Sequence, residues 1–289
     1  MRIIIKRWLL VLVGVSTAVL LAACSGPDEA EAPTGLSVVA TTTVLGDIAR
    51  QVVGVDGVVD VLLPIGVDPH DFQPSSAQVV KIFEADLVIA NGLGLEGNLI
   101  DLLDSASDAG VRVVMVGDLV SPVVLDTRLP CDESSDDMCD PHVWFDPERD
   151  GVTARVIAAE LFEFDGSLRW RERADRYVGE LIDANEQIEQ ILSAIPKSGR
   201  LIIANHPFLG YFADQYDFDV IGSVNAGGTA LSSPSSAWLA DLVETIDETG
   251  AVAIFSETTD STFLAETVAA EANHDQPFTR RYAQGRQPF

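Results

Sequence analysis

The chain has 289 residues, long enough for two packed lobes and too long for one small core. Apolar residues make up 47% and charged residues 22%, which excludes disorder over most of its length. Its 18 Lys and Arg stand against 45 Asp and Glu, and a net charge of −27 repels phosphate backbones, so a nucleic-acid partner is not expected.

Arg2, Lys6 and Arg7 open the chain, and an apolar run from Trp8 to Leu21 leads into Leu21-Ala22-Ala23-Cys24. A basic start, a short apolar stretch and small residues read as an export signal over 1–23, not a membrane span. Leu-Ala-Ala-Cys resembles the lipobox of bacterial lipoproteins. That implies lipidation of Cys24, membrane attachment through the lipid alone, and a mature protein on the outer face of the cytoplasmic membrane. Residues 24–35 read as a solvated tether. Cys131 and Cys139 lie eight positions apart in an acidic loop. Outside the cell they are expected to form a local disulfide, with a thiolate metal site as the alternative.

From Leu36 onward the pattern is α/β. Apolar, β-branched runs at 36–42, 58–63, 86–90 and 111–116 read as buried strands, with helical spacing at 44–53, 75–84 and 97–108 between them. A second series follows: strands at 200–204, 219–224 and 251–255, and helices at 207–216, 235–248 and 261–272. Such alternation implies parallel sheets covered by helices, here two Rossmann-like lobes over 36–168 and 197–274. Between them Trp170, Ala174, Tyr177, Leu181, Ala184, Ile188, Ile191 and Ile195 recur every three or four residues. They predict one long rigid helix within 169–196, stopped by Pro196 and Gly199 and joining the lobes.

Gly92-Leu93-Gly94-Leu95-Glu96-Gly97 fits G-x-G-x-x-G after a strand, and Asp118 follows about 20 residues on, as a ribose-binding acid would. The motif follows the third strand instead of the first, and the protein is expected to be exported, away from cytosolic cofactors. A tight strand-to-helix turn is the preferred reading.

Of four histidines, three sit beyond strands. His70 lies in Asp68-Pro69-His70, His142 in Asp140-Pro141-His142, and His206 in Asn205-His206-Pro207. Ligands of open parallel sheets bind beyond the carboxyl ends of strands. Facing lobes would therefore bring His70, His142 and His206 into one interlobe cleft, where neutral imidazole suits zinc.

At these residues the chain resembles the ZnuA/TroA-like family of zinc and manganese ABC-importer solute-binding lipoproteins. The resemblance rests on Val39-Ala40-Thr41-Thr42, the Asp-Pro-His-x-x-x-Pro segment at 68–74, and Asn91-Gly92-Leu93-Gly94-Leu95-Glu96-Gly97. Asp140-Pro141-His142-Val143-Trp144 and His206-Pro207-Phe208-x-x-Tyr211-Phe212 complete it. It implies a non-enzymatic, monomeric metal carrier that delivers its cargo to a metal ABC permease and its ATPase. His70 and His142 match the family's N-lobe ligands and His206 the third. Relatives favouring manganese often carry Glu at that third position, so His206 turns the expectation toward Zn²⁺, with Mn²⁺ as the second choice.

The family's fourth ligand is an aspartate after a further strand, which the sequence read alone does not show. The composition changes at 275–289, where Arg280, Arg281 and Arg286 replace an acidic pattern. A frameshift or truncation near residue 275, and a resemblance ending at about 273, are expected from this. Glu257, or Asp275, would then serve as fourth ligand, or Glu257 would orient a histidine. Alternatives are a degenerate lipoprotein with impaired metal binding and a zinc hydrolase using an open coordination position. The hydrolase lacks a His-Glu-x-x-His motif.

Overall fold

The computed structural model describes residues 35–124, 139–225, 234–257 and 261–272. The expected export signal over 1–23, Cys24 and nearly all of its tether, Cys131, Asp275 and the 275–289 segment lie outside the described residues.

Strands β1 (Leu36–Ala40), β2 (Gly57–Val61), β3 (Leu87–Ala90) and β4 (Arg112–Met115) form one sheet in the order β2-β1-β3-β4, and every pairing is parallel. Val38, Ala40, Leu87 and Ile89 enter one apolar cluster, while Val39, Val88 and Ala90 enter another. Alternate side chains thus bury both faces, which is why these strands read as unbroken apolar runs. Helices α1 (Thr43–Val53), α4 (Pro147–Asp165) and α5 (Arg169–Leu192) supply the first cluster. Helices α2 (Ser76–Phe83) and α3 (Ile100–Asp108) supply the second. Ser75 and Gln78 close α2 with a reciprocal capping box.

The second sheet has β5 (Leu201–Ala204), β6 (Asp219–Ser223) and β7 (Ile254–Phe255) in the parallel order β6-β5-β7. Ile203 packs with Leu242 and Ile246 of α7 (Ser236–Thr249) and with Ala265 and Val268 of α8 (Phe263–Glu271). Ile202, on the opposite face, packs with Ala213 and Tyr216 of α6 (Gly210–Tyr216).

Helix α5 serves both sheets. Trp170 and Ala174 are buried in the first sheet's core, and Ile188 and Leu192 pack on the Ile202 cluster. At 1.5 Å per residue its 24 residues span about 36 Å. The Arg173 guanidinium donates to the Val53 carbonyl at 2.5 Å, capping the end of α1, and pairs with Asp56.

The elements differ from the sequence expectation in three places. Helix α4, 19 residues long, has no counterpart in it. The face it buries is made of Gly151, Thr153, Ala154, Ile157, Ala158 and Leu161, and four of these six residues are too small or polar to mark a stripe. Its ends do carry signals: Asp146 accepts from the Glu148 N–H, Pro147 stands at the first turn, and Gly166 closes it at φ 67°. Of the stripe expected along α5 only Trp170 and Ala174 are buried, Val178 outside it is buried as well, and Ile191 is 70% exposed. Finally, β7 holds two residues where 251–255 was expected, and Val252 is exposed.

Asp150, on α4, has its carboxyl pushed up to about 8 by burial and by the charges of Asp146 and Asp47. A raised carboxyl favours the fold fully below the unfolded value near 4, and that contribution is lost as pH climbs through about 8. Asp150→Asn is therefore expected to raise the unfolding midpoint by about 3–6 °C at pH 8 and to leave it unchanged below about pH 4. Thermal melts across that range check it.

Candidate metal centre

The two Asp-Pro-His segments share a local device. Asp68 Oδ1 accepts the His70 N–H at 2.9 Å, and Asp140 Oδ1 accepts the His142 N–H at 2.9 Å. The intervening proline has a fixed φ, so each aspartate folds over its histidine in a tight Asx turn. At the second segment Asp140 Oδ1 also accepts from His142 Nδ1 at 2.7 Å. An ionised carboxylate only accepts, so Nδ1 carries the proton and Nε2 keeps its lone pair.

His206 follows β5 by two residues. Its loop is held at Asn205, whose N–H donates to the Phe255 carbonyl at 2.8 Å and whose carbonyl accepts the Asn225 N–H at 2.7 Å. Neighbouring strands on both sides therefore aim His206. The result is convergence: one ring nitrogen from each of His70, His142 and His206 lies within 4.8 Å of the other two. His142 Nε2 and His206 Nε2 are 3.4 Å apart. His142 and His206 are buried and His70 is partly exposed. Glu257 Oε2 lies 3.3 Å from His206 Nε2, with its side chain 25% exposed. Phe208 and Trp144 stand beside the imidazoles, with ring centres 5.1 Å from His206 and 5.4 Å from His142 respectively. Cys139 is disulfide-bonded, and Cys131, its expected partner, lies outside the described residues.

The sequence read alone leaves out Asp140 as the group that orients His142, and Tyr211 as its support. The Tyr211 hydroxyl donates to the Asp140 carbonyl at 2.7 Å and accepts the Val123 N–H at 3.4 Å. Burial and the Asp140 charge push the Tyr211 phenol up, so it stays protonated and donating. Arg149 of α4 stacks on the Tyr211 ring at 4.6 Å and reaches Asp214 at 3.6 Å. A Cβ at position 210 would collide with Asp140 Oδ2, so any side chain there would have to displace the carboxylate. The aspartate two residues before His142 was the available signal for the orienting role. Nothing local marks Tyr211, because its partner is 71 residues away.

Over residues 38–288 the chain matches the family described as ZnuA, zinc-uptake complex component A, periplasmic. It belongs to that family. The match includes residues 275–288, so the resemblance does not stop at the change in composition as the sequence read alone implies. The manganese-binding lipoprotein MntA of Halalkalibacterium halodurans is 29% identical over 262 residues, which cover 89% of this chain and 83% of MntA. A crystal structure of ZnuA superposes with a TM-score of 0.72 at 26% identity, covering 82% of this chain and 88% of that one. A zinc-bound ZnuA with residues 138–173 deleted also gives 0.72, at 28% identity over 82% and 87% of the two chains. As a member of the ZnuA family the chain is a metal ABC transporter substrate-binding protein and not an enzyme. Family members work beside a permease and an ATPase.

Tyr211→Phe leaves the buried Asp140 carbonyl without its donor. It is expected to destabilise the fold by about 1–3 kcal/mol, read by chemical denaturation of the metal-free protein.

Proposed function

We propose that this chain captures Zn²⁺ on the outer face of the cytoplasmic membrane, held there by a lipid on Cys24, and releases it to the permease of a metal ABC importer. His70, His142 and His206 are the ligands in this reading, and Glu257 is the fourth donor. The observation that carries it is the convergence of three imidazole nitrogens within 4.8 Å. A nitrogen-rich set suits zinc, whereas manganese favours carboxylate and water oxygens. The family description and the zinc-bound relative support zinc, while the 29%-identical MntA is named for manganese. His70 comes from the loop after β2 and His206 from the loop after β5, so the site draws on both sheets. We further place Cys131 opposite Cys139 in a disulfide and take the protein to be a monomer.

Calorimetric titration of metal-free protein with Zn²⁺ and with Mn²⁺ tests the reading. One tight Zn²⁺ per chain is expected, with weaker Mn²⁺; tight Mn²⁺ and weak Zn²⁺ would reverse the assignment. His70→Ala, His142→Ala and His206→Ala should each weaken Zn²⁺ by more than about 100-fold. Asp140→Ala, which removes only an orienting carboxylate, should weaken it by about 10–100-fold. Protons compete for the same nitrogens, so affinity should fall as the solution is acidified.

A further inference from the structure

The glycine motif that opens the segment after β3 has a backbone unlike the other described residues. Gly92, Leu93 and Gly94 stand in succession at φ 79°, 54° and 80°. Leu93 is not a glycine, and a side chain in the left-handed region costs about 1–2 kcal/mol. Strain of this kind persists only where surrounding structure enforces it. Gly117 packs against this turn, where a Cβ would come within 2.6 Å of the Asn91 carbonyl and 2.8 Å of the Leu93 side chain.

The turn brings Glu96 back beneath the ends of two strands. Glu96 is 6% exposed. Its Oε1 accepts from Thr41 Oγ1 at 2.6 Å and from the Asn91 N–H at 2.7 Å, and its Oε2 accepts the Gly92 N–H at 3.0 Å. Thr41 follows the last residue of β1, and Asn91 the last residue of β3. The carboxylate therefore ties two adjacent strand ends together and fixes the backbone of Asn91.

Asn91 is 1% exposed. Its Nδ2 donates to the Pro141 carbonyl at 2.8 Å and to the Gly92 carbonyl at 3.2 Å, and its own carbonyl accepts the Gly117 N–H at 2.7 Å. Pro141 directly precedes His142 and lies in no helix or strand. Residues 140 and 141 are thus held by the Asp140 N–H on Val123, the Tyr211 hydroxyl on the Asp140 carbonyl, and Asn91 on the Pro141 carbonyl.

We propose that Asn91 is a positioning residue for His142, and that the Gly92–Gly97 turn buries Glu96 in order to hold Asn91 in that role. This rests on the reading of His142 as a metal ligand. By fixing the peptide before His142, Asn91 sets where its Nε2 lies relative to His206 Nε2, and so sets the geometry that separates one divalent metal from another.

The test compares wild type, Asn91→Ala, Asn91→Leu and His142→Ala in the full chain. Asn91→Ala removes the donor; Asn91→Leu removes it while keeping the volume. Three readouts are taken: Zn²⁺ and Mn²⁺ affinity by calorimetry, the visible absorption of the Co²⁺-loaded protein, and thermal unfolding without metal. Both Asn91 variants are expected to weaken Zn²⁺ by about 10–100-fold, narrow the Zn²⁺-to-Mn²⁺ ratio, and change the intensity of the Co²⁺ bands. A role in stability alone would move the unfolding midpoint and leave the Co²⁺ spectrum as in wild type. Folded Asn91 variants with wild-type affinity and spectrum would overturn the proposal. Failure of both variants to fold would also overturn it, by making the contact a folding element. Should wild type and His142→Ala bind Zn²⁺ equally, the ligand assignment itself fails, and that result is separate from the Asn91 outcome.

Discussion

The site depends on one carboxylate, that of Asp140. Its Oδ1 takes both the backbone N–H and the ring Nδ1–H of His142, which sets where the segment turns and which imidazole nitrogen stays free. Its Oδ2 occupies the space that a side chain at Gly210 would need, at the first residue of α6. Its backbone carbonyl receives the hydroxyl of Tyr211, the next residue of that helix. A residue in the segment after the first sheet is thereby in contact with the helix that follows His206. His142 is placed by this aspartate directly, and the helix after His206 begins against it.

That contact sits within a larger mechanical arrangement. Helix α5 buries Trp170 under the first sheet and lays Ile188 and Leu192 on the second, so the two sheets share a stiff element. Arg149 stacks on Tyr211, and Asp214 lies within ion-pair distance of the same guanidinium. In the proposed reading, donors held this way stand near their final positions before cargo arrives, which lowers the ordering cost of binding. The acidic surface acts at longer range, since a net charge of −27 raises the local cation concentration without discriminating among metals. In the proposed reading, discrimination is left to the three imidazole nitrogens.

Legibility in the sequence followed the physics of each feature. Strands β1 and β3 are buried on both faces, so Leu36–Ala40 and Leu87–Ala90 read as continuous apolar runs. The two Asp-Pro-His segments were legible because the turn and the donor sit within three residues. Helix α4 was not legible, because its packing face of Gly151, Thr153, Ala154 and Ala158 allows close approach of α5 without bulky residues. Strand β7 was over-read: Ala251, Val252 and Ala253 look like a strand, yet hydrogen-bonded pairing with β5 covers only Ile254 and Phe255. The partnerships of Tyr211 with Asp140 and of Asn91 with Pro141 span 71 and 50 residues, a distance at which no spacing rule operates.

The segment Gly92–Gly97 shows why a motif's residue types can be informative when its usual interpretation is not. In a nucleotide-binding turn the glycines let a pyrophosphate approach the backbone. Here the group they admit is the chain's own Glu96. Three donors meet its carboxylate, from Thr41, Asn91 and Gly92. A carboxyl oxygen suits each of these contacts, whereas an amide in its place would set an N–H₂ against one of those donors. Burial is the larger influence and pushes the Glu96 carboxyl up, while these donors draw it back only in part. The place a phosphate would take in such a loop is thus filled by a carboxyl of the protein itself, and the loop is fixed in one shape.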